Sequence, residues 1–305
     1  MATRILSIDG GGIRGLIPAL VLAHIEEECA RPAAELFDVI AGTSTGGILA
    51  LGLACPEPTY SARELASIYA DEGERIFPKR LINVRSLYDE KYSADGLEEV
   101  LEEKLGDTRL KDARARVLVT AYDIERRTPV FFRSVRAYHQ DDHDFLMRDV
   151  ARATSAAPTY FEPARLPGDP PYALVDGGVF ANNPGMCAYV DRHTVDDRDE
   201  VTMVSLGTGE LTRRLPYEKA KDWGLLGWGM RVLDVVFDGV SDTVDYQLKT
   251  LLGDGYLRLQ TELNKASDDM DDAGERNVTD LKLEAEELIA DNRAALDGLC
   301  ARLAG

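Results

Sequence analysis

A serine framed by glycines, Gly42-Thr43-Ser44-Thr45-Gly46, stands between two apolar runs, on what reads as a strand-to-helix turn. Such a turn presents Oγ as a nucleophile, and glycines two residues either side let neighbouring backbone approach closely. The helix that follows favours negative charge at its start. A Gly/Thr/Ser turn without chemistry is the plainer alternative, and the strand–helix context favours the nucleophile. Upstream, Asp9-Gly10-Gly11-Gly12-Ile13-Arg14-Gly15 leaves the apolar run Ile5-Leu6-Ser7-Ile8. Its glycines can aim backbone N–H groups at a developing oxyanion. The spacing Gly10-x-Gly12-x-x-Gly15 also fits a dinucleotide-binding loop. Against a nucleotide, Asp9 would face the pyrophosphate, and no clean acidic strand end follows at the ribose distance; Asp38, the nearest, lies inside an apolar strand.

A serine needs a base, and the chain has 4 histidines. A triad in the order Ser, acid, His leaves only His193, at a polar helix end. His24 lies within a helix; His139 and His143 sit beside Asp141, Asp142 and Asp144 in a loop that reads as solvated, so no metal site is expected. Asp176 is the better candidate: it ends the apolar run Tyr172-Ala173-Leu174-Val175 and is followed by Gly177-Gly178. As base it would take the Ser44 proton directly. An ordinary aspartate pKa of about 3.9 is too low for that, so a desolvated site must raise it. The plainer alternative is an Asx-type turn.

The elements that must position these residues alternate. Leu16–Cys29 reads as a helix, residues 36–41 as a buried parallel strand, and residues 48–55 as a second helix. Further strands are read at residues 117–122, 172–175 and 201–206, with residues 129–132 as an antiparallel neighbour. Helices at 61–74 and 94–105 look exposed. This alternation implies a largely parallel α/β sheet with functional loops at its strand ends. Beyond about residue 215 come a Trp/Gly-rich stretch, a helix, a polar linker at 266–276, and one amphipathic helix from 278 to 303. The expected division is a catalytic core over 1–210 and a helical elaboration over 211–305 packed on the same domain.

A chain of 305 residues can bury one sizeable core. Net charge of −19 argues against nucleic acid and, on average, against anionic membrane surfaces. Cys29, Cys55, Cys187 and Cys300 are scattered, with no CxxC, and read as reduced structural thiols. With no signal-peptide core and no apolar run long enough to span a bilayer, the expected location is cytoplasmic.

Taken together, the loop at residues 9–15, Gly42-Thr43-Ser44-Thr45-Gly46-Gly47 and Asp176-Gly177-Gly178 resemble the patatin family of lipid acyl hydrolases. Ser155-Ala156-Ala157-Pro158-Thr159-Tyr160-Phe161, Ala181-Asn182-Asn183-Pro184, Ser205-Leu206-Gly207-Thr208-Gly209 and Lys91-Tyr92 agree. The resemblance implies a three-layer α/β/α sandwich with a central, mostly parallel sheet, and a Ser44–Asp176 dyad without histidine. It implies an oxyanion hole from Gly10, Gly11 and Gly12 with Thr45, and elbow and dyad glycines at Gly42, Gly46, Gly177 and Gly178. Arg14, beside Gly15, would brace the loop or lend charge near a phosphate head group. No cofactor is implied. The substrate would be a membrane phospholipid or other acyl lipid, cleaved through an acyl-enzyme in a phospholipase A-type reaction. A serine esterase or thioesterase on other acyl substrates, and a cyclic-nucleotide-activated effector of anti-phage defence, are the alternative readings. Residues 223–230 are the candidate for peripheral membrane contact. The following Val232, Val235, Val236 and Phe237 have core-packing spacing, the reading preferred there.

Overall fold

The computed structural model describes residues 2–78, 91–192, 200–229 and 231–304. A mixed sheet forms its centre: β1 (Thr3–Ile8), β2 (Val39–Thr43), β3 (Arg116–Asp123), β4 (Thr128–Arg133), β5 (Ala164–Leu166), β6 (Tyr172–Asp176), β7 (Val201–Leu206) and β8 (Tyr256–Leu259). The order is β5-β6-β3-β2-β1-β7-β8, with β4 also pairing with β3. β3, β2, β1, β7 and β8 run parallel. β4 and β6 run antiparallel to β3, and β5 antiparallel to β6.

Period-2 alternation sends successive side chains to opposite faces, and this builds the layers. Leu6, Ile8, Ile40, Val119 and Leu206 enter one core, while Ile5, Val39, Leu118 and Met203 enter the other. Helices α1 (Leu16–Cys29), α2 (Thr45–Ala54), α3 (Ala62–Ile76), α4 (Asp95–Leu105) and α5 (Met147–Thr154) pack into the first core. On the opposite face, α6 (Arg231–Leu252) contributes Val244 and Leu248 to the second. The result is the α/β/α sandwich that the family resemblance implied, built on the α/β sheet expected from the alternation. α1 is apolar nearly all round because it lies between layers, packed against α3 and α7 (Glu275–Asp291). It stops at Ala30, which turns left-handed at φ 51.

Several expectations need correction. The 278–303 stretch is two helices: α7 ends at Asn292, whose Nδ2 donates to the Leu288 carbonyl at 2.9 Å, and α8 (Arg293–Ala304) begins beyond it. The reading of four reduced thiols fails for Cys29 and Cys300, which form a disulfide joining the end of α1 to α8, with Cα atoms 5.4 Å apart. Cys55 and Cys187 are free thiols. Asp38 stands just before β2 and accepts from Arg4 Nη2 at 3.1 Å. Val232 and Val235 are exposed at 44% and 46%, so core packing holds only for the buried Phe237 and, in part, Val236. Trp228 is likewise exposed, and its ring meets Trp223 edge-on. Among the described residues no helix is long and apolar enough to cross a membrane.

Candidate active site

Sheet register sets the site. Thr43 pairs with Thr120, and the next residue of β3, Ala121, pairs with Asp176. β6 thus ends, although antiparallel, beside the turn that follows β2. Thr43 Oγ1 donates to the Ala181 carbonyl at 2.6 Å and, its one proton spent, accepts from Thr120 Oγ1 at 2.7 Å. β2, β3 and the segment after β6 are pinned together directly beneath the site.

Ser44 caps α2 with φ 55 and ψ −125. A non-glycine residue holds such a backbone at about 1–3 kcal/mol, and only where its surroundings enforce it. Here its N–H donates to Thr154 Oγ1 at 2.8 Å, and that hydroxyl donates to the Thr120 carbonyl at 2.7 Å. A Cβ on Gly42 would strike the Gly46 carbonyl, and one on Gly46 the carbonyl of Ile8, so the elbow closes only with glycine at both places.

Asp176 is 1% exposed. Its Oδ1 accepts the Gly178 N–H at 2.7 Å, while Oδ2 is buried without a hydrogen-bond partner. Burial pushes its pKa up to about 7; the nearby Ser44 hydroxyl and the Gly178 N–H oppose that shift. No closed Ser44–Asp176 hydrogen bond is formed, so the Ser44 effect is that of a close, unaligned donor.

In the glycine loop, the Gly10 N–H donates to the Asn182 carbonyl at 3.1 Å. This removes Gly10 from the expected oxyanion donors. The other two N–H groups are oriented through the carbonyl on the far side of their own peptide, because N–H and C=O point oppositely across a trans unit. Thr208 Oγ1 donates to the Gly10 carbonyl at 2.7 Å, which turns the Gly11 N–H the other way. Arg14 Nε and the Arg14 N–H donate to the Gly11 carbonyl at 3.3 and 3.2 Å, which does the same for Gly12. Gly12 has φ +59, and a Cβ there would strike the Met270 carbonyl, itself the acceptor of the Ile13 N–H at 2.9 Å. The stretch read as a polar linker therefore straps the loop down. Arg14 is 6% exposed and is absent from the cleft wall.

Thr45 borders the cleft, its hydroxyl donating to Tyr69 Oη at 2.6 Å. Gly15 and Gly177 sit tight against Thr45 and Thr120. Asp9 is 2% exposed and takes Arg258 Nη2 at 2.6 Å; burial raises its pKa, and Arg258 opposes this. It is thus a structural carboxylate beneath the loop. His24, His139 and His143 lie off the cleft wall, and His193 is outside the described residues. Asp144 pairs with Arg109 and Lys111, and no metal-holding group of His, Cys, Asp and Glu occurs among the described residues.

Ser44, Asp176, Gly11 and Gly12 face one cleft of about 650 Å³ of free space, its mouth included. Ile48, Ile76, Phe77, Leu97, Phe161 and Phe237 make its walls apolar. The residues that sequence reasoning left without a role are Thr154, Asn182, Thr208 and Met270, which lock the elbow and the loop. All but Met270 stand in or next to short motifs legible in the chain, but their partners are distant in sequence.

A mostly parallel α/β sheet carrying a serine elbow beside a buried carboxylate defines the class as hydrolase-like. The family model for patatin-like phospholipase matches residues 6–188, and the chain belongs to that family of lipid acyl hydrolases. Patatin-like protein 2 of Oryza sativa subsp. indica is 33% identical over 96% of this chain and 85% of its own length. Patatin-like protein 2 of Arabidopsis thaliana is 34% identical over 85% and 75%. Patatin-04/09 of Solanum tuberosum is 31% identical over 90% and 80%.

Proposed function

We propose that this chain is a phospholipase A-type lipid acyl hydrolase working through a Ser44–Asp176 dyad and an acyl-enzyme. One observation carries the reading: a buried carboxylate with an unpaired oxygen shares an apolar cleft with a serine on a strained elbow. In the first step Ser44 Oγ attacks the ester carbonyl, its proton passes to Asp176 Oδ2, and the N–H groups of Gly11 and Gly12, with that of Thr45, stabilise the oxyanion. The alcohol leaves with that proton, and water then releases the fatty acid. The apolar walls suit an acyl chain.

A panel of fluorescent phospholipids and short-chain esters, assayed with wild type, Ser44→Ala and Asp176→Asn, tests this. Both variants fold and lose nearly all turnover. Full activity in Ser44→Ala would sink the mechanism.

A further inference from the structure

Two polar side-chain atoms on the cleft residues are buried and without hydrogen-bond partners among the described residues: Asp176 Oδ2 and Ser155 Oγ. The dyad accounts for the first and leaves the second unused. Ser155 directly follows α5, is 7% exposed and borders the same cleft as Ser44. Its segment is tied to the base, because the Asp176 N–H donates to the carbonyl of the next residue, Ala156, at 2.9 Å. A buried hydroxyl with no partner is an unfavourable thing to keep in an apolar wall, and such groups recur where a water or ligand completes them.

We infer that Ser155 Oγ and Asp176 Oδ2 together hold the water that hydrolyses the acyl-enzyme, which makes Ser155 a water-positioning residue for deacylation. This rests on the dyad reading above. Acylation needs no such aid, since Ser44 brings its own nucleophilic oxygen on a fixed elbow. Water has no tether, and in an apolar cleft only a pair of fixed acceptors can orient it. One water hydrogen points to Ser155 Oγ and the other to Asp176 Oδ2, which turns a lone pair to the acyl carbon. As the new C–O bond forms, Asp176 Oδ2 takes the proton. The tetrahedral intermediate collapses, the bond from carbon to Ser44 Oγ breaks, Asp176 returns the proton to Oγ, and the fatty acid leaves.

Stopped-flow assays with a p-nitrophenyl ester separate the two steps. In Ser155→Ala, kcat falls about 10- to 100-fold and KM falls in proportion, so kcat/KM stays within about twofold of wild type. A nitrophenolate burst of one equivalent appears, with an acyl adduct on Ser44 in intact-protein mass spectra. Ser155→Thr, which keeps the hydroxyl, restores kcat. Equal losses in kcat and kcat/KM without adduct, or unchanged kinetics, overturn the role of Ser155. Failure of the dyad itself has a different signature: turnover in Ser44→Ala, or no Ser44 adduct in any variant.

Discussion

The Gly178 N–H donates to Asp176 Oδ1 at 2.7 Å and leaves Oδ2 as the free face of a buried carboxylate. One oxygen is thereby fixed by the backbone while the other is available for proton transfer. No imidazole is required to hold the base in place.

Asp176 must be ionised to act, and burial pushes its pKa up to about 7. The kcat/KM for a short-chain ester therefore rises with pH through about 7 and levels off above it. The same shift has a stability consequence of opposite sense. A pKa higher in the folded than in the unfolded chain stabilises the fold at low pH, and that contribution is lost as pH rises from about 4 to about 7. Asp176→Asn removes the buried charge, so at pH 8 it is inactive yet more stable than wild type, by at most about 4 kcal/mol. Urea midpoints at pH 8 that coincide, or a pH–rate profile flat from 5 to 9, would contradict this.

Ser44 is held at φ 55. Glycine adopts that backbone without strain, so Ser44→Gly unfolds at higher urea than Ser44→Ala, by about 1 kcal/mol, while both lack activity. Equal stability of the two variants would remove strain as a property of the elbow.

Under the proposed mechanism, Thr208 acts on the oxyanion through its hydrogen bond to the Gly10 carbonyl. Thr208→Val frees the Gly10–Gly11 peptide to rotate and lowers kcat about 10- to 100-fold with KM little changed, a part of the roughly 2.7–4 kcal/mol a whole oxyanion donor supplies elsewhere. Thr208→Ser keeps the hydroxyl and the activity. A Val variant with wild-type kcat would show that the lock is dispensable.

The Cys29–Cys300 bridge closes most of the chain into one loop, far in sequence from Ser44 and off the cleft wall. Cys300→Ser lowers stability by about 2–5 kcal/mol and leaves ester turnover at 25 °C near that of wild type. Thermal melts with and without dithiothreitol read the first effect. An unchanged melting temperature after reduction would mean the bridge contributes nothing to the fold.

Local features of this protein were legible and distant pairings were not. The elbow could be read because backbone contacts around Ser44 demand glycine at fixed offsets, and Asp176 because an apolar strand ends on a charge. The strand alternation pointed to a largely parallel α/β sheet, and the family resemblance supplied its three layers. Thr208 could be seen as part of a Gly-Thr-Gly motif, but its acceptor is Gly10, 198 residues away. Residues 266–276 read as a polar linker because Asp271 and Asp272 resemble solvated residues; Asp271 is in fact buried, accepting from Tyr92 Oη at 2.6 Å and pairing with Lys91. Cysteine spacing carries no signal for a bridge between α1 and α8, and the hydrophobic period of 278–303 runs on through the break at Asn292.

The strap formed by Met270 and the Arg258–Asp9 pair have a consequence in time. Synthesis delivers Ser44 and the glycine loop first and Asp176 midway, yet Asp9 is a buried charge without its cation until Arg258 emerges, and the loop lacks its strap until Met270 does. A nascent chain that already carries both members of the proposed dyad still lacks both of these contacts.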